Sequence, residues 1–217
     1  MTILPEFQGI ILDMDGLILD TEGSYFSAWQ QAANSLGYHI SDEFCISVSG
    51  LSFSVLDGKL LEHLGNAFPL ADFYPLSGEF WQTEVESKGI AVKKGALELL
   101  ILLQERDIPY CLATNSPEVN ARECLEYAQV ASYFPKMACR DHVPEPKPAA
   151  DLFLQAAKHL QLPVESCLVV EDSLTGLLAA KNANAFSVLI PSLQVTPEMQ
   201  GLAGVIMQDL SELSRLL

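Results

Sequence analysis

The chain has 217 residues, 49% hydrophobic and 18% charged, a balance that suits one globular core with an inserted module rather than two full domains. Its 28 acidic residues against 12 basic ones give a formal net charge of -16, which repels DNA, RNA and acidic membranes, so neither a nucleic-acid nor a membrane partner is expected. Five cysteines without C-x-x-C spacing argue against a disulfide framework or a zinc site, and neither a signal-peptide pattern nor a membrane-length apolar run is present, so a soluble, cytoplasmic monomer is expected.

Residues 9–13, Gly-Ile-Ile-Leu-Asp, form a short apolar run ending in an acid, with Gly16 soon after. Such a run reads as a buried strand entering a loop. Tyr25, Ala28, Trp29, Ala32 and Leu36 then recur at helical spacing, and helical patterns continue to about Trp81 without a strand among them, which indicates a helical insertion. Beyond Lys94 the pattern alternates. Residues 95–105 read as helix, 110–114 as strand, and 117–127 as helix, with Ser116 as N-cap and Pro117 in the first helical position. A further helix is expected from Pro148, a strand over 167–170, a helix over 173–182 and a strand over 187–190. Strands separated by single helices imply right-handed crossovers and a parallel sheet covered on both faces, an α/β fold.

Ligands of such sheets bind beyond the carboxyl ends of the strands. Polar clusters stand at those ends: Asp13 and Asp15 after the first strand, Thr114-Asn115-Ser116 after the second recognisable one, and Glu171-Asp172 after the third. Phosphoryl transfer needs an in-line nucleophile, a proton for the leaving group and charge neutralisation. Residues two apart in an extended segment face the same way, so Asp13 can attack phosphorus while Asp15 handles the proton. A carboxylate meeting a phosphate requires a cation. Magnesium favours oxygen ligands, here Asp13, the Asp15 carbonyl and Asp172, with Glu171 acting through water. Lys147, placed before a helix opened by Pro148, supplies positive charge to a phosphate, and Thr114 and Asn115 supply neutral donors. Singly, each feature is ordinary: an acidic pair with glycine is a common turn, Thr-Asn-Ser a common cap, and a lone lysine a surface charge. Their joint order carries the reading.

With those residues assembled, the chain resembles the haloacid dehalogenase superfamily over nearly its whole length, in the small-helical-cap branch that contains beta-phosphoglucomutase and sugar-phosphate phosphatases. Asp13-Met-Asp15-Gly16 resembles its first motif, Thr114-Asn115-Ser116 its second, Lys147 its third and Glu171-Asp172-Ser173 its fourth. The resemblance implies a Rossmann-like core over 1–18 and 83–217 and a four-helix cap over 19–82. It also implies an aspartyl-phosphate on Asp13, hydrolysed by water that Asp15 activates. Because water must be excluded during attack and admitted afterward, the cap is expected to open and close, on hinges near 17–20 and 81–89. Gly50 resembles part of the family's cap substrate loop. Asn184 replaces a usual glycine, but Asn tolerates left-handed backbone.

Asp15 separates the chain from dehalogenases, which lack the second aspartate. A phosphonate hydrolase needs a cap lysine, and Lys59 is the only lysine over 19–81, in a helical stretch that suits a solvated charge. A mutase must hold a second phosphate with cap cations, yet Tyr25 stands where the resemblance would place its histidine and Phe53 close to where it would place an arginine. The segment contains no arginine and eight acidic residues, so a phosphatase acting on a small monophosphate ester is expected. A phosphosugar mutase and a non-catalytic phospho-ligand binding protein remain the alternatives.

Overall fold

The structure is a computed structural model describing residues 4–48 and 53–217. In chain order the elements begin with β1 (Gly9–Leu12), α1 (Thr21–Ser35), α2 (Asp42–Val48), α3 (Phe53–Leu64) and α4 (Leu70–Lys88). They continue with α5 (Ala96–Glu105), β2 (Tyr110–Ala113), α6 (Glu118–Tyr127), β3 (Met137–Ala138), α7 (Asp151–Leu160), β4 (Cys167–Glu171) and α8 (Leu174–Asn182). The chain ends with β5 (Phe186–Leu189), α9 (Pro197–Leu202), β6 (Val205–Ile206) and α10 (Leu210–Ser214). Two compact units emerge: Met1–Asp20 with Ala91–Leu217, and Thr21–Ile90 between them. The division falls at 20/21 and 90/91 rather than 18/19 and 82/83, because α4 runs unbroken to Lys88 and a cut at 82 would split a hydrogen-bonded helix.

The first unit carries the expected α/β architecture, a six-stranded parallel sheet among the described residues in the order β3-β2-β1-β4-β5-β6. β1 pairs with β2 through Ile11 and Cys111 and with β4 through Leu12 and Val170. All four residues of β1 are buried, as a central parallel strand requires. On one face, Ile11, Cys111 and Val169 pack against Leu152, Phe153 and Ala156 of α7 and Ala179 and Ala180 of α8. Those alanines let the helices lie close to the sheet. Burial pushes the Cys111 thiol up to about 12, so this cysteine behaves as a small core residue. Asn184 adopts the left-handed conformation, with φ of 58°.

Sequence periodicity did not reveal β3 and β6, because two residues give no alternation to read. The helix expected from Pro148 begins at Asp151 instead. Ala149 N–H donates to Pro146 O and closes a turn over the intervening residues. Pro117, not Ser116, is the N-cap of α6.

The second unit consists of the helices α1 to α4 among the described residues, closed around Ala32, Ile40, Phe44, Leu60, Phe68 and Phe73. Tyr25 stacks on Trp81 at 5.6 Å, and Tyr74 donates to Asp57 Oδ1 at 2.5 Å. Phe53 opens α3, and Gly50 lies outside the described residues. Lys59 pairs with Glu62 at 2.9 Å, both side chains exposed.

Candidate active site

In the sheet, β1 has β2 on one side and β4 on the other, so the chain leaves their carboxyl ends in diverging directions and opens a crevice there. Asp13 follows β1 directly, and its N–H donates to Val170 O at 3.1 Å, extending the pairing one step past the strand. Thr114 and Asn115 follow β2, Glu171 closes β4, and Asp172 comes next. The structure thus brings Asp13, Asp15, Thr114, Lys147, Glu171 and Asp172 together. Tyr25 and Phe53 belong to the helical unit.

Lys147 is the hub. Its ammonium donates to Asp13 Oδ1, to Glu171 Oε1 at 2.5 Å and to Ala113 O at 2.8 Å, which uses all three of its N–H groups. The side chain is 3% exposed, and its Nζ lies 4.9 Å from the centre of the Phe153 ring. Burial works against the charged ammonium, but the carboxylates of Asp13 and Glu171 outweigh it and hold the pKa above the ordinary lysine value. Lys147 therefore stays charged and serves as counter-ion to Asp13, a different placement from a lysine extended toward a helix terminus.

Asn115 also takes partners the sequence did not suggest. Its Oδ1 accepts from Lys147 N–H at 2.9 Å and its Nδ2 donates to Lys147 O at 3.3 Å, so the amide clamps the backbone that carries the ammonium. Thr114 donates to Asp15 Oδ2 at 3.2 Å, and Ser116 donates to the same oxygen at 3.0 Å. The hydroxyl expected to cap α6 is spent on Asp15.

Glu171 is fully buried. Its Oε2 accepts from the N–H groups of Asp172 and Ser173, at 3.1 and 3.4 Å, and from the Ser173 hydroxyl at 3.0 Å. One wall of its cavity is Gly176 of α8, where a Cβ would stand 2.0 Å from Oε1 and 2.1 Å from Oε2. Gly176→Ala is accordingly expected to destabilise the protein by about 1–3 kcal/mol despite alanine's better helix propensity, because four hydrogen bonds hold the carboxylate in place. Urea unfolding measures this, and an unchanged or increased stability would refute the wedge.

Oxygens of Asp13, Glu171 and Asp172 lie within 4.8 Å of one another. Three carboxylates around one ammonium leave surplus negative charge. Burial pushes the Asp13 carboxyl up and Lys147 pulls it down, while Glu171, Asp172 and Asp15 push it up again, for a net pKa well above the ordinary carboxylate range. This donor set, all oxygen and net anionic, fits a hard divalent cation. Asp172 Oδ2 also accepts from the Ser192 hydroxyl at 2.6 Å. Ser192 escaped sequence reading, although its position just past β5 is the same strand-end signal that marked the other clusters.

A model of the haloacid dehalogenase-like hydrolases matches residues 10–190. The chain is 29% identical to a probable pseudouridine-5'-phosphatase of Drosophila melanogaster over 97% of its own length and 93% of that protein's. It is 30% identical to a phosphorylated carbohydrates phosphatase of Thermotoga maritima over 81% of both chains. Among solved structures, a Thermotoga maritima protein described as a beta-phosphoglucomutase superposes with a TM-score of 0.80 at 28% identity, covering 97% of this chain and 100% of that one.

Proposed function

Because the chain belongs to the haloacid dehalogenase-like hydrolases and is a phosphoric monoester hydrolase, we propose that it cleaves a small phosphate monoester through an aspartyl-phosphate on Asp13. The observation that carries this reading is the anionic pocket at the crevice, with Asp13 and Asp172 in reach of a common cation and Lys147 already neutralising Asp13. Asp13, Asp172 and the Asp15 carbonyl would hold magnesium, which offsets the negative charge of the phosphoryl oxygens.

Asp13 Oδ attacks phosphorus, the ester P–O bond breaks, and Asp15 gives its proton to the departing oxygen. Asp15 Oδ2 accepts both the Thr114 and Ser116 hydroxyls, which orient the carboxyl group for this transfer. Asp15 then takes a proton from water as that water attacks phosphorus, releasing phosphate and restoring Asp13. Lys147 keeps its charge throughout. Glu171, enclosed by chain donors and Lys147, fixes the lysine and acts on the metal only through its neighbours.

We assign the reading of the leaving group to the helical unit, whose acidic balance disfavours a second phosphate. Phosphate release from matched mono- and bisphosphates, each with magnesium and with a chelator, tests the whole reading. Monophosphates should be preferred, and turnover should fall to background when the metal is removed. A preference for bisphosphates, or transfer to a sugar acceptor without phosphate release, would make the protein a mutase. Tight metal-dependent binding of an ester without turnover would make it a binding protein.

A further inference from the structure

We infer that Ser192 is a positioning residue for the metal, its hydroxyl fixing the rotation of the Asp172 carboxylate and thereby setting the affinity for the divalent cation. The inference rests on the metal-dependent reading above. Three loops meet here, each leaving the carboxyl end of one of three adjacent parallel strands: Gly16 after β1, Asp172 after β4 and Ser192 after β5. The terminal torsion of an aspartate is broad and nearly two-fold, so a carboxylate without fixed partners can present either oxygen. Here Ser192 donates to Asp172 Oδ2 at 2.6 Å, a short charge-assisted bond. Gly16 closes the other side of that oxygen.

The geometry gives the glycine after the aspartate pair a role beyond turning the chain. A Cβ on Gly16 would stand 2.1 Å from Asp172 Oδ2 and 3.2 Å from Ser192 Cβ, so only a residue without a side chain leaves room for this hydrogen bond. Gly16 also has φ of 81°, which favours glycine independently. Nor is Ser192 needed to tether its loop. Ile190 N–H donates to Glu171 O at 2.8 Å at one end, and the Thr196 side chain accepts from Met199 N–H at 3.2 Å at the other. Removing the hydroxyl therefore takes away the hydrogen bond on Asp172 Oδ2 and leaves the loop anchored. Groups that hold metal-binding side chains in place commonly change metal affinity by about 10–100-fold when lost.

Manganese binding followed by electron paramagnetic resonance reads this without turnover, on the wild-type chain and on Ser192→Ala, Ser192→Thr and Ser192→Val. Threonine and valine have nearly the same shape and differ in the hydroxyl. Alanine and valine should weaken manganese binding about tenfold, threonine should stay near wild type, and thermal midpoints should change little. At saturating metal the KM for a phosphate ester should be unaltered in all three. Equal manganese affinity in wild type and Ser192→Ala would overturn the inference, as would a loss in threonine as large as in valine. If the wild-type chain itself binds no manganese, the metal-dependent reading falls and takes this one with it.

Discussion

Replacing Asp13 by asparagine is expected to abolish phosphate release, by roughly 10⁴-fold or more, while leaving the fold intact. The amide fills the same space but cannot form the acyl-phosphate bond. Its effect on stability follows from the burial of the native group. Desolvation, reinforced by Glu171, Asp172 and Asp15, lifts the Asp13 pKa in the folded protein well above its value of 3.8 in the open chain, Lys147 notwithstanding. A group whose folded pKa is raised binds its proton more tightly in the native state, so its favourable contribution is present below pH 3.8 and is lost as pH rises through the folded value. With metal chelated, the wild-type chain should therefore lose stability relative to Asp13→Asn as pH rises from about 4 toward neutrality. Paired denaturation curves at several pH values check the sign. Retained turnover in the variant would remove Asp13 from the nucleophile's role, and a stability gap that closes with rising pH would contradict its electrostatic setting.

Lys147→Met should cost about 3–5 kcal/mol and eliminate activity, because it strips the only cation from two buried carboxylates among the described residues. Glu171 is fully buried and Asp13 nearly so, and Glu171 cannot turn to water without breaking its bonds to Asp172 and Ser173. Charge removal elsewhere should offset part of this loss. The double variant Lys147→Met, Glu171→Gln is expected to recover stability over the single one without recovering turnover. Lys147→Arg should not substitute, since a planar guanidinium cannot direct donors to three groups arranged around an ammonium. Unfolding of Lys147→Met within about 1 kcal/mol of wild type would place this lysine among ordinary surface charges.

Most of the parallel sheet and the convergence of three strand ends were legible in the sequence, because buried parallel strands are short apolar runs and the residues that break them are polar. Asp13, Thr114 and Glu171 each stand where such a run stops. What each side chain then touches was not legible. Asn115 looks like a donor for a ligand in one dimension, yet both ends of its amide are consumed by the Lys147 backbone, 32 residues away. Ser116 looks like a helix cap and binds Asp15. Ser192 resembles any loop serine until the fold sets it against Asp172. Gly176 reads as a weak point in a helix, whereas its missing side chain is the space that Glu171 fills. Local propensity governs where the chain turns, and it carries no information about partners brought together by crossovers.

The sheet is bounded on each side by a strand of two residues, β3 and β6. Unpaired backbone along the outermost strand of a sheet is what another chain would use to add itself, and the tendency grows with the length of the free edge. Two residues offer an incoming strand too few hydrogen bonds to repay its ordering. Growth of fibrils or of sheet-to-sheet assemblies through these margins is therefore discouraged by the architecture itself.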